Sequence, residues 1–99
     1  MDNRQDCILR LVFSHGLYDE MTDVLLSFPG GELAFVSLDI QAHMQPLESI
    51  SEKVSGFKRK KMVEVTIEQK EAKRLHQHIT QNLPQANFQA QLLPLLALE

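Results

Sequence analysis

The sequence predicts an α+β domain of the ferredoxin-like kind, βαββαβ, with a four-stranded antiparallel sheet and two helices on one face. Three observations carry this. Four segments alternate apolar and polar residues, two others place apolar residues at helical spacing, and the order along the chain is strand, helix, strand, strand, helix, strand. At 99 residues the chain has room for one modest core, so residues 1–99 are read as a single domain.

The first strand is expected over about residues 7–14, where Cys7, Leu9, Leu11 and Phe13 fall on one face and Ile8, Arg10 and Val12 on the other. After His15-Gly16, the spacing of Leu17, Tyr18, Met21, Val24, Leu25 and Phe28 predicts an amphipathic helix, with Asp19 and Glu20 in the first turn where the helix dipole favours anions. "PGG", Pro29 to Gly31, stops it.

In "LAFVSLDIQAHM" the residues Ala34, Val36, Leu38, Ile40, Ala42 and Met44 alternate with Ser37, Asp39, Gln41 and His43, the clearest strand pattern in the chain. "KMVEVTIE" repeats it, with Val63, Val65 and Ile67 inward and Glu64, Thr66 and Glu68 outward. The connection between these strands, residues 45–60, is far longer than a hairpin turn, and Ser49-x-x-Glu52 with Gly56 marks one short helical turn inside it. A second helix is expected over residues 69–82 with the stripe Ala72, Leu75 and Ile79, ended by Pro84. "NFQAQLL" closes the series with Phe88, Ala90 and Leu92 alternating against Gln89 and Gln91.

Two helices on one side of the sheet leave the other side open. Taking the apolar side of every strand to face the helices, the open face is expected to hold Arg10, Ser37, Asp39, Gln41, His43, Glu64, Thr66, Gln89 and Gln91. Ile8, Val12, Phe35 and Leu93 would then be apolar spots suited to a partner subunit.

A net charge of −3 argues against a nucleic-acid binder. Residues 1–52 nevertheless hold nine acidic and two basic side chains, whereas residues 53–99 hold four acidic and eight basic. The single cysteine, Cys7, excludes an internal disulfide framework and reads as a buried structural thiol. The N-terminus is polar and the longest apolar runs are about five residues, so neither signal peptide nor membrane span is expected and a cytoplasmic location follows.

In this topology the ends of strands one and two, the start of strand three and the end of the second helix share one edge. That edge collects His15, His43, Met44, the run Lys58, Arg59, Lys60, Lys61, and His78. Lys61 has inward parity and belongs at the rim, Lys60 shares the parity of the open face, and Gly56 permits a close backbone approach. Such a run attracts anions, but the commoner explanation for it is a solvated run that keeps a loop in water. His15, His43 and Met44 are the candidate metal ligands, although the strands of the two histidines are separated by a third, roughly 10 Å in all. His76 and His78, two apart on a helix, do not form a chelating pair. No Walker loop, GxGxxG, CxxC, aromatic strand signature or nucleophile–base pair is present, so the chain is not expected to be an enzyme.

"MTDVLLSF" and above all "SEKVSGFKRKKMVEVTI" resemble a small uncharacterised bacterial family of PII-like (GlnB-like) proteins, over roughly residues 7–94. The resemblance implies a ferredoxin-like subunit assembled as a homo-oligomer, usually a trimer with its sheets turned inward. It also implies a T-loop, here residues 45–61, that reports ligand state to a protein target. PII proteins bind adenine nucleotides and 2-oxoglutarate between subunits, but their glycine-rich phosphate loop is replaced here by "LPQA", Leu83 to Ala86, so those residues do not carry over and no cofactor is assigned. The resembling family often lies near heavy-metal efflux systems, which implies a metal-binding accessory protein as the alternative. The apolar C-terminal segment with Leu92, Leu93, Leu95, Leu96 and Leu98 is more than one strand end can hide and also points to a neighbouring subunit.

Overall fold

The structure, a computed structural model, describes residues 6–30, 33–42, 58–96 and 98. Strand β1 spans Asp6–Ser14 and leads through a 3-10 turn, His15–Leu17, into helix α1, Tyr18–Leu26. Strands β2, Ala34–Ala42, and β3, Lys58–Glu68, follow; helix α2, Gln69–Asn82, and strand β4, Phe88–Pro94, complete the expected order. His43, Met44, Gly56 and the Ser49–Glu52 capping box lie outside the described residues.

The sheet order is β2-β3-β1-β4 and every neighbouring pair is antiparallel, so β1 and β2 run the same way with β3 between them. α1 ends at Ser27, whose N–H donates to the Asp23 carbonyl at 3.1 Å, and Gly30 takes a φ of 119° that a side chain would resist. α2 stops where the Leu83 N–H donates to Ile79 O at 2.8 Å and Pro84 follows with no N–H of its own. No helix among the described residues is long and apolar enough to cross a membrane.

The core lies between the helices and the two central strands. Leu9, Leu11 and Phe13 of β1 and Val63, Val65 and Ile67 of β3 meet Met21 and Leu25 of α1, Phe28 beyond its end, and Ala72, Leu75 and Ile79 of α2. Burying a side chain such as Phe13 or Leu11, both 0% exposed, contributes about 1.5–3 kcal/mol. Cys7 is buried in β1 as expected. The α2 stripe read from spacing is the buried one.

Strand β2 departs from expectation. Directly paired residues share a face, and the register sets Phe35 opposite Val65, Ser37 opposite Val63 and Asp39 opposite Lys61. Ser37, Asp39 and Gln41 therefore lie on the helix side, while Ala34, Val36, Leu38 and Ile40 share the open face with Thr66, Glu64, Met62 and Lys60. The sequence expectation had these two sets reversed. The physical reason is coverage. β2 is an outer strand, and on its helix side only Leu33 and Phe35 pack against the core, whereas Ser37, Asp39 and Gln41 stay exposed. A helix-side stretch that the helices leave exposed takes polar residues, and the apolar side turns the other way.

The open face is consequently more apolar than predicted. Ile8, Val12, Met62 and Leu93 join Val36 and Leu38, which are 59% and 49% exposed. Amid them Arg10 Nε donates to Glu64 Oε2 at 2.8 Å, the two residues facing each other across β1 and β3.

Candidate functional site

The register fixes what meets at the edge where β1 ends and β3 begins. Ser14 pairs with Lys60 and Phe13 with Lys61, while on the other side of β3 Asp39 pairs with Lys61, Gln41 with Arg59 and Ala42 with Lys58. The "KRKK" run is thus the first turn-side stretch of β3 rather than a loop, and alternation sends its members apart: Lys61 and Arg59 to the helix side, Lys60 to the open face.

The Lys61 side chain is largely enclosed, 16% exposed. Its ammonium lies 2.7 Å from Asp39 Oδ1 and 4.4 Å from the centroid of the Tyr18 ring, a carboxylate and a π-face together replacing lost water. Tyr18 opens α1, and its hydroxyl lies 3.0 Å from Ser37 Oγ. His15 Nε2, from the turn after β1, stands 4.0 Å from the same Asp39 oxygen. The hydrogen bond from Lys61 holds the Asp39 carboxyl below the usual carboxylate range; the charges of Lys61, His15 and Arg59 add to this, and partial desolvation opposes it.

His15, Asp39, Ile40, Gln41, Arg59 and Lys60 line a hollow of about 330 Å³. Three cationic or titratable donors around one exposed carboxylate suit a small anionic group, with Asp39 already answering part of the positive charge. For a metal, His15 and Asp39 supply two donors where a closed zinc site takes four, and no cluster of three or more His, Cys, Asp or Glu side chains occurs among the described residues.

His78 does not join this edge. Its Nε2 lies 3.0 Å from Ser27 Oγ and 3.2 Å from the Val24 carbonyl, and its ring meets Phe28 at 5.5 Å, so it packs on the far end of α1. His76 packs against Phe88 at 6.0 Å, which confirms that the two histidines serve different faces. Asp39, Tyr18 and Ser37 escaped sequence reasoning because strand parity placed Asp39 and Ser37 on the wrong side of the sheet. The available signal was Lys61 itself, an inward-parity cation that required an inward-parity anion.

A family model described as "Protein of unknown function (DUF3240)" matches residues 3–98. No curated protein matches the sequence. Among solved structures, a DUF3240 family protein from Shewanella baltica OS155 superposes with a TM-score of 0.72 at 12% identity, covering 100% of this chain and 97% of that one. CPII, a nitrogen regulatory PII-like protein from Thiomonas intermedia K12 bound to ADP, AMP and bicarbonate, gives 0.62 at 10% identity over 91% and 89%. CutA from Synechococcus elongatus PCC7942, complexed with Bis-Tris, gives 0.63 at 10% identity over 95% and 83%. At such identities the likeness is one of fold, and the fold is PII-like.

Proposed function

The chain belongs to the DUF3240 family of proteins of unknown function, and we propose that it is a non-enzymatic PII-like regulatory protein. It works as a homo-oligomer, binds a small anionic ligand at the cationic edge between subunits, and contacts a protein target through residues 45–61. The observation that carries the reading is the open face of the sheet. Val36 and Leu38, 59% and 49% exposed, form an apolar stripe that runs into Ile40 and Lys60 at the rim of the cationic hollow. A patch of this kind on a small domain marks an association surface, and covering it would place the hollow beside a second subunit. The PII-like fold supports a trimer with the sheets inward, and the Thiomonas neighbour, bound to ADP, AMP and bicarbonate, supports an anionic ligand. The buried Cys7 thiol fits a reducing cytoplasm.

A second reading, a metal-binding accessory protein, draws on the approach of His15 Nε2 to Asp39 Oδ1 at 4.0 Å. Thermal melting separates the two, since a ligand selective for the native state raises its melting temperature. ADP, AMP, bicarbonate and 2-oxoglutarate are compared with copper, zinc, nickel and cobalt. Stabilisation by the anions, lost on charge removal at Arg59 and Lys60, is the expected result. Stabilisation by metals alone, lost in His15→Ala, overturns the regulatory reading, and a monomeric mass by light scattering overturns the assembly.

A further inference from the structure

We infer that Asp39 is a built-in occupant of the anion site: a carboxylate of the chain itself holding the position at Lys61 that a ligand's phosphate or carboxylate takes. The inference rests on the anion-binding reading above and adds the group that sets its affinity.

The two ends of the contact are unequally exposed. The Lys61 side chain is 16% exposed and that of Asp39 is 73% exposed, so the cation is fixed under the Tyr18 ring while its anion stands in water. A largely enclosed ammonium needs an anionic partner, but a solvent-facing carboxylate gives up little when it swings aside. Tyr18 is held in turn by Ser37 at 3.0 Å, so the seat of Lys61 persists when Asp39 leaves. His15 and Arg59 already lie within the electrostatic reach of Asp39, whose carboxyl is drawn below the usual range chiefly by the Lys61 hydrogen bond, with these neighbours adding to it. His15, Arg59 and Lys60 line, together with Asp39 itself, a hollow of about 330 Å³ beside the Asp39–Lys61 contact, with room for a phosphate-sized group. The helix-side placement of Asp39, opposite Lys61 in the register, is what makes the substitution geometrically direct. An anion bearing two charges competes better than one bearing one, so the site selects phosphate or a dicarboxylate over chloride.

The test compares the full chain with Asp39→Asn, using inorganic phosphate as the probe and chloride at matched ionic strength as the reference. Asp39→Asn is expected to bind phosphate about 1.4- to fivefold more tightly by titration calorimetry, the span of an exposed ion pair. It should also show a larger phosphate-induced rise in melting temperature. Lys61→Gln in the same background is expected to abolish the gain. Asp39→Ser repeats the test should the Asn variant be less stable, each variant's own melting temperature in chloride serving as its baseline. An equal phosphate response in wild type and both Asp39 variants overturns the inference and leaves the anion-site reading standing. A gain that survives Lys61→Gln also overturns it, and no response in any protein removes both readings together.

Discussion

β1 and β2 carry the same alternating pattern and use it in opposite directions. In β1 the apolar residues Leu9, Leu11 and Phe13 lie under the helices at 4%, 0% and 0% exposure, whereas in β2 Val36 and Leu38 lie on the bare side at 59% and 49%. The difference follows from position: β1 is a central strand covered by both helices, and β2 is an outer strand whose helix side is covered only at Leu33 and Phe35. Alternation says that a strand has two unlike faces. It does not say which one meets the core, and in an outer strand little covered on its helix side the apolar face turns to the open side.

Matched substitutions in β1 and β2 should separate folding from association. Phe13→Ala in β1 empties a fully buried site and is expected to cost about 3–5 kcal/mol in urea unfolding. Leu38→Glu in β2 should leave the far-ultraviolet dichroism intact and reduce the mass seen by light scattering to that of one chain. If Leu38→Glu unfolds the chain or leaves its mass unchanged, the division of labour between the strands is wrong.

Smaller effects probe polar contacts on the two faces of the sheet. Arg10→Ala, which strands Glu64 on the open face, is expected to cost about 1 kcal/mol in the same unfolding assay. Tyr18→Phe removes the contact with Ser37 and should cost about 0.5–1 kcal/mol or less, keeping the ring over Lys61.

The smallest effect is the pH dependence of Asp39. Its folded-state carboxyl titrates below its ordinary value of 3.8, so at a given acid pH the unfolded chain binds more protons and stability rises with pH. The contribution is present above 3.8 and is lost as pH falls through the lower folded-state value. Comparing unfolding of wild type and Asp39→Asn from pH 5 downwards should show a slightly shallower acid limb for the variant.

Much of the architecture was legible. The element order, the α2 stripe of Ala72, Leu75 and Ile79, the inward set of β3 and the inward parity of Lys61 all follow from spacing, because each depends on residues a few positions apart. The candidate site was half legible: His15, Arg59, Lys60 and Lys61 meet at one edge as topology requires. Asp39, Tyr18 and Ser37 were not read, since their contacts join α1, β2 and β3 and depend on a register that no local pattern encodes. His78 was misplaced for a related reason. Its position along α2 is fixed by sequence, but its contact with Ser27 depends on how two helices pack.

By itself the sequence determined the elements, their order and the presence of two unlike faces on every strand, because these arise from local sterics and from the periods of strand and helix. Tertiary structure alone decided which face of β2 the helices see, and with it the pairing of Asp39 with Lys61 and the apolar stripe on the open face. An outer strand is only partly covered, so its orientation is set by register with β3 and by what the helices leave exposed.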